Sequence, residues 1–138
     1  GVNRNLIWNS TLEMIESEPI LGVGFGGYAA AIPKFETSGG KYRLHQAHND
    51  YLEILSNGGV VGFALFALFG AIVVHRTSKN LRSGDRLRRA SCFGAAIGFF
   101  GVLIHSFVDF GLHIPVNAFI FAVLVVIATA NIQRTTEN

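Results

Sequence analysis

The chain has 138 residues, of which 50% are hydrophobic and 14% are charged, and its mean hydropathy is +0.41. An average soluble domain carries about 25% charged residues, so this composition points to a membrane protein. The single cysteine, Cys92, excludes a disulfide framework and a cysteine-based zinc site, and the apolar content excludes a disordered chain. The chain begins at Gly1 without the pattern of a signal peptide, and we therefore expect it to be the C-terminal part of a larger membrane protein.

The first 57 residues contain two helical patterns joined by a glycine-rich loop. Residues 3–17 repeat apolar side chains with a period near 3.6, which predicts an amphipathic helix. Residues 21–28 (LGVGFGGY) follow a helix and not a strand, so they do not fit a dinucleotide-binding loop. We interpret them as a turn whose glycines let the backbone approach its neighbours closely. From Asn49 a second helix can continue directly into the membrane, with His48 at or just before its start.

Three long stretches almost without charge follow, and each approaches the ~20 residues that cross the hydrocarbon core of a bilayer. They cover residues 58–74, 90–104 and 116–132. The predicted fold class is therefore an all-α membrane protein with an outer helical region and three transmembrane helices. Gly59 and Gly62, spaced as GxxG, predict close packing between helices, and Cys92 is predicted to be a small buried residue.

The distribution of charge predicts the orientation in the membrane. The loop 75–89 holds six basic residues and one acidic residue, whereas residues 1–57 hold four basic and six acidic residues. Because short basic loops stay cytoplasmic, we expect residues 1–57 and the turn near 109–115 to lie outside. Residues 58–138 are expected to form the three transmembrane helices, with the loop 75–89 in the cytoplasm. A basic run can also bind nucleic acid, but its place between two spans favours the topological interpretation, and no nucleic acid partner is expected.

His48 is the first candidate for catalysis. It lies at the start of a helix at the outer membrane edge, where a neutral imidazole can take a proton from a hydroxyl. The alternative is a structural histidine that caps the helix or bonds to a loop carbonyl.

A metal site is a second hypothesis. His45 and His48 form an HxxH pair, and His105, Asp109 and His113 would stack on one face if their segment were helical. Such a cluster predicts a metal-dependent membrane hydrolase, although Gly111 and Pro115 suggest that the helix frays near His113. His105 and Asp109 are in any case ionisable groups at membrane depth, which favours a function for them. A non-catalytic membrane scaffold is the third hypothesis.

Cations of the outer region are candidates for binding an anionic ligand. Arg4 lies one helical turn before Trp8, where its guanidinium can either snorkel beside the indole or clamp a phosphate. Arg43, Lys41 and Lys34 lie near the histidines and can meet an anion or remain solvated.

A combination of motifs resembles the C-terminal half of the O-antigen ligase and O-antigen polymerase family. A histidine, an asparagine, nine further residues and GxxG are matched by His48, Asn49 and the pair Gly59 and Gly62. The other matching residues are Arg4, Trp8, Pro19, LGVG at 21–24, Tyr28, AHNDYLE at 47–53, HSFVDF at 105–110 and Pro115.

This resemblance implies a multi-pass glycosyltransferase of the bacterial inner membrane, of which the chain is a fragment within a larger GT-C-like bundle. The implied donor is a glycan on undecaprenyl pyrophosphate. The implied acceptor is a sugar hydroxyl on lipid A core or on a growing polysaccharide, in lipopolysaccharide or exopolysaccharide biosynthesis, and the active site would face the periplasm. His48 becomes the candidate base and Arg4 the candidate phosphate ligand. Asn49, Tyr51, Arg43 and Asp109 are expected to bind substrate.

Neither a metal nor another cofactor is expected for this reaction, and a single displacement would invert the anomeric carbon. Ligases tend to carry a hydroxyl residue after the second glycine of GxxG, whereas this chain has Phe63. That departure favours a polymerase over a ligase.

Overall fold

A computed structural model describes residues 4–36, 46–109 and 111–130, and the regular elements in these ranges are all helical. The predicted all-α class is therefore confirmed for the described residues. In these ranges the α-helices are α1 (Arg4–Ser17), α2 (Tyr28–Ala31), α3 (Asp50–Asn80), α4 (Arg86–His105) and α5 (Pro115–Thr129), with 3-10 helices at Ile32–Lys34 and Gly111–His113.

The predicted amphipathic helix corresponds to α1. It buries Ile7 and Met14, which pack with Tyr28, Ile32 and Ala47 in a small core near the N-terminal end of α3. The Thr11 hydroxyl lies in the same interface, 2.7 Å from the Tyr28 hydroxyl. This core fixes α1 against the segment that leads into α3.

Two of the helices, α3 and α4, are long and apolar enough to cross a membrane. α5 is also apolar but has 15 residues, so the expected count of three spans stays a prediction. Large apolar side chains are exposed along α3, α4 and α5, which suits a lipid environment and not water. They include Leu65, Leu68, Phe93, Ile97, Phe119 and Ile120.

The membrane helices pack through small residues. A Cβ atom on Gly98 of α4 would lie 3.0 Å from a methyl of Leu124 in α5, so the two helices meet closely there. Cys92 is 1% exposed, and its thiol donates to the Ala128 carbonyl over 3.4 Å. The interpretation of Cys92 as a small buried residue is confirmed.

Helix α3 is interrupted at Gly59, whose backbone has φ 60° and ψ −164°. The interruption leaves carbonyl and amide groups of α3 without helical partners, and the loop before α2 supplies replacements. The carbonyls of Ser56 and Asn57 accept from the amides of Val23 and Gly24, each over 2.9 Å. In return, the amides of Val60 and Val61 donate to the carbonyls of Pro19 and Ile20 over 2.9 and 3.2 Å. We call this exchange of four hydrogen bonds the loop–helix interlock.

Gly22 and Gly59 must be glycine at the interlock because backbone atoms of the other segment leave no room for a Cβ atom. A Cβ on Gly59 would lie 2.2 Å from the Ile20 carbonyl oxygen, and one on Gly22 would lie 2.5 Å from the Ser56 carbonyl oxygen. The prediction that Gly59 serves packing between helices is therefore wrong, because a loop occupies that position. The prediction that loop glycines allow close backbone approach is confirmed by Gly22.

Candidate functional site

The turn before α3 presents His48 in an uncommon backbone conformation. His48 has φ 52°, the only positive φ among the described residues other than glycine, and such a conformation is held only where the surrounding contacts determine it. The next residue, Asn49, accepts hydrogen bonds through its side-chain oxygen from the amides of Tyr51 and Leu52, over 3.0 and 3.1 Å. The predicted helix start is thus correct, and Asn49, not His48, caps the helix.

The contacts of Asn49 and Tyr51 also join α3 to the C-terminal end of α4. The Asn49 side-chain amide donates to the Phe107 carbonyl over 3.0 Å, and the Tyr51 hydroxyl donates to the Leu103 carbonyl over 2.7 Å. The Tyr51 ring also packs on the Phe107 ring, with 4.4 Å between the ring centroids. These contacts give both residues a positioning function, while substrate binding by them stays a prediction.

Asp109 lies between two histidines on the same side of the molecule. Its carboxylate oxygens are 3.9 Å from Nδ1 of His48 and 3.7 Å from Nε2 of His105. These distances exceed a direct hydrogen bond but leave room for a bridging water. The side chains are 41% exposed for His48, 45% for Asp109 and 61% for His105. A ligand can therefore reach the imidazole that faces the carboxylate.

Two buried carboxylates that the sequence analysis did not select lie directly beneath this turn. Asp50 and Glu53 are 1% and 5% exposed, and both contact His113. Nδ1 of His113 is 2.9 Å from Asp50 Oδ1, and Nε2 is 3.3 Å from Glu53 Oε1. The spacing of the two acidic residues, one helical turn apart beside an apolar run, was the signal that could have identified them. We call these three residues the buried triad.

The second oxygen of each carboxylate in the buried triad accepts from the backbone. Asp50 accepts from the Leu112 amide over 3.2 Å, and Glu53 accepts from the Ala47 amide over 3.2 Å. The hydrogen bond to Asp50 is the main cause that raises the pKa of His113, against the opposing effect of burial. The triad therefore ties the segment before His48 to the connection between α4 and α5.

The predicted metal cluster is not assembled in the part of the chain that the structure describes. Helix α4 ends at His105, and a turn and the 3-10 helix follow, so the stack that would require a continuous helix to His113 is not formed. Both ring nitrogens of His113 face carboxylates instead. Among the described residues no group of three or more histidine, cysteine or acidic side chains is arranged to hold a metal ion. His45 lies outside the described residues.

The first turns of α1 lie next to the His48 turn. The Trp8 indole donates to the Ala47 carbonyl over 3.1 Å, and Arg4 is exposed one helical turn earlier on the same helix. Lys34 is exposed at the end of its 3-10 helix. Arg43 and Lys41 lie outside the described residues.

Apolar side chains of the glycine-rich loop lie beside the N-terminal part of α3. Ile20, Leu21 and Phe25 are 66%, 69% and 83% exposed, and the Phe25 ring would contact a Cβ on Gly58 or Gly62. The loop that forms the interlock therefore presents an apolar surface beside the start of the membrane segment.

A family model described as O-antigen ligase matches residues 2–67 of the chain. No curated protein and no solved structure gives a significant match. The matched segment contains α1, the glycine-rich loop, the His48 turn and the interrupted part of α3. Asp109 and His113 lie outside the matched segment, and the fold brings them to His48 and Asp50 within it.

Proposed function

Residues 2–67 belong to the O-antigen ligase family, and on that basis we propose that this membrane protein is a glycosyltransferase of polysaccharide assembly. Its donor is a glycan on undecaprenyl pyrophosphate, and its acceptor is a sugar hydroxyl on lipid A core or on a growing polysaccharide. The protein lies in the bacterial inner membrane with its active site toward the periplasm. The observation that carries the proposal is the accessible His48 imidazole, held in a positive-φ turn and faced by the Asp109 carboxylate.

His48 acts as the general base. As the acceptor oxygen forms its bond to the anomeric carbon, the hydroxyl proton passes to the imidazole, and the bond from that carbon to the pyrophosphate oxygen breaks. The configuration inverts because the displacement occurs in one step. The Asp109 carboxylate lies 3.9 Å from Nδ1 of His48 and neither donates nor removes a proton in this step.

Positive charge is needed where the pyrophosphate departs. Arg4 supplies it in this proposal, because a guanidinium presents a planar fork of donors to phosphate oxygens. The hydrogen bond from Trp8 to the Ala47 carbonyl supports this assignment, since it holds the first turns of α1 beside the His48 turn. Arg43 is proposed as a second cation for the same group, and Asn49 and Tyr51 as residues at the edge of the substrate site.

The test compares two histidine variants of the full-length protein in membranes supplied with a lipid-linked repeat unit. His48→Ala should abolish the glycan product. His75→Ala is the matched control, because His75 is an exposed histidine of the same helix near its other end, and it should retain the product. Equal amounts of each variant in the membrane fraction would show that both are inserted.

The size of the product distinguishes the two reactions of the family. A ladder of glycan lengths that depends on His48 indicates a polymerase, and the Phe63 departure favours this result. A single transfer to a separate acceptor indicates a ligase. If His48→Ala gives as much product as His75→Ala, His48 is not the base and the proposed mechanism is refuted.

A further inference from the structure

A basic cleft lies at the end of the helices opposite to the His48 turn. It has a volume of about 350 Å³, and its cations are Arg76 and Lys79 of α3 and Arg88 of α4. None of the described residues that line it is acidic. The remaining lining residues are Asn80, Ser83 and Thr129.

Hydrogen bonds fix the wall of the cleft. Asn80 is 7% exposed, its side-chain amide donates to the Ala128 carbonyl over 2.8 Å, and its side-chain oxygen accepts from the Arg88 guanidinium. Asp85, the nearest acidic residue in the chain, caps α4 by accepting from the Leu87 and Arg88 amides. Nε of Arg88 is buried and has no hydrogen-bond partner among the described residues. The cleft wall is therefore held by hydrogen bonds, and the Nε–H group of Arg88 is a donor without a partner among the described residues.

A larger apolar cavity adjoins the cleft, and Arg88 lines both. This cavity has a volume of about 570 Å³ and lies between the first turns of α4 and the end of α5. Apart from Asp85, Arg88 and Ser91, the lining is formed by apolar residues, namely Leu87, Ala95, Leu124, Val126, Ile127 and Ala130. The basic cleft and the apolar cavity thus meet at Arg88.

The basic cleft and the apolar cavity lie at the depth expected for a lipid headgroup. Helix α3 crosses from Gly59 to Lys79 in about 20 residues, or about 30 Å, which equals the thickness of the hydrocarbon core. A soluble anion would use only the cleft, whereas an anionic phospholipid would fill both parts. Basic pockets beside membrane helices bind acidic lipid headgroups in this way.

We propose that the cleft and the apolar cavity form a binding site for one anionic phospholipid. The phosphate lies among Arg76, Lys79 and Arg88, and one acyl chain enters the groove between α4 and α5. The site is separate from the glycan-transfer site because it lies at the other end of α3. The proposal therefore does not depend on the chemistry at His48.

The test measures binding of phosphatidylglycerol to the purified full-length protein in detergent, by native mass spectrometry, with phosphatidylcholine as the uncharged-headgroup reference. The cleft variant carries Arg76→Gln and Lys79→Gln. The control carries Arg82→Gln and Arg86→Gln, which removes the same charge from the same region while leaving the residues that line the cleft in place. Arg88 is kept in both variants because it also holds Asn80.

The cleft variant should bind phosphatidylglycerol about tenfold to thirtyfold more weakly, since each cation near a lipid phosphate contributes about a factor of five. The control should stay within about twofold of the original protein. Arg76→Lys should retain binding because the charge is kept, which separates loss of charge from loss of folding. Equal weakening in the cleft variant and the control would overturn the proposal.

A second pair of measurements separates a lipid from a free anion. Ser91→Phe would narrow the apolar cavity at an exposed position and should weaken phosphatidylglycerol binding without changing competition by inorganic phosphate. Displacement of the lipid by inorganic phosphate at equal concentration would show that the site takes a soluble anion. No effect of Ser91→Phe on lipid binding would show that the acyl chain does not occupy the apolar cavity. Either result would overturn the proposal.

Discussion

Replacement of Gly59 by alanine is the sharpest test of the loop–helix interlock. The backbone of Gly59 has φ 60° and ψ −164°, a region that only glycine occupies without strain. An alanine Cβ would also lie 2.2 Å from the Ile20 carbonyl oxygen. The loop must then move away from α3, and the hydrogen bonds that Val60 and Val61 donate to it would be lost.

The size of the effect follows from these contacts. The strained conformation costs about 1–3 kcal/mol, and each lost backbone hydrogen bond costs about 0.5–1.5 kcal/mol. Gly59→Ala should therefore lower the free energy of unfolding by about 2–6 kcal/mol. Gly70→Ala is the matched control, because Gly70 lies within α3 with nothing within 4 Å of an added Cβ. It should stabilise the helix by about 0.5–1 kcal/mol.

The assay is the thermal unfolding of the full-length protein in detergent, followed by the loss of the monodisperse species. Gly62→Ala serves as a second control within the same GxxG motif, since its Cβ would make an ordinary contact of 3.7 Å with the Phe25 ring. We expect Gly59→Ala to unfold at a clearly lower temperature than either control. Unfolding at the same temperature as Gly70→Ala would refute the interlock.

Three further predictions concern the residues around the His48 turn, and thermal unfolding measures each of them. The pKa of His113 is raised above its ordinary value of 6.5 by the hydrogen bond to Asp50, so its stabilising effect is complete below that pH and is lost as the pH rises through the raised pKa. His113→Gln should flatten the dependence of the unfolding temperature on pH in this range. An unchanged dependence would contradict a stabilising hydrogen bond between protonated His113 and Asp50. Thr11→Val should destabilise the protein by about 1–3 kcal/mol because it leaves the buried Tyr28 hydroxyl without its partner, and adding Tyr28→Phe should recover part of the loss. Burial raises the pKa of Tyr28 to about 12, so its hydroxyl stays protonated at neutral pH. If the double variant is less stable than Thr11→Val, the hydrogen bond between Thr11 and Tyr28 does not explain the loss. Trp8→Phe should cost about 1 kcal/mol through the lost indole hydrogen bond, and no loss would mean that this bond does not hold α1 in place.

The elements that the sequence predicted well are those determined by local pattern. The 3.6-residue period of 3–17 became α1, and the apolar runs became α3, α4 and α5, because side-chain periodicity and length act within one segment. The helix start near Asn49 was also predictable, since asparagine favours the N-cap for a local hydrogen-bonding reason. The motif around His48 indicated a resemblance to the O-antigen ligase family, and the family model matches residues 2–67, which contain that motif.

The arrangement around the candidate base depended on contacts between distant segments. His113 pairs with Asp50, 63 residues earlier in the chain, whereas its spacing suggested His105 and Asp109 as neighbours. The sequence could not decide this because the end of α4 and the following 3-10 helix change the direction of the chain.

The composition and order of residues by themselves determined the helices of the described residues, their apolar membrane character and a histidine at a helix start, because helix formation and burial of apolar surface follow from local spacing. The break of α3 at Gly59 was decided only in the tertiary structure. A positive φ inside an apolar helix is stable there because the loop at 19–24 supplies the hydrogen bonds that the helix loses. Backbone groups must be paired when they are removed from water, and only the folded chain reveals which distant segment provides the partners.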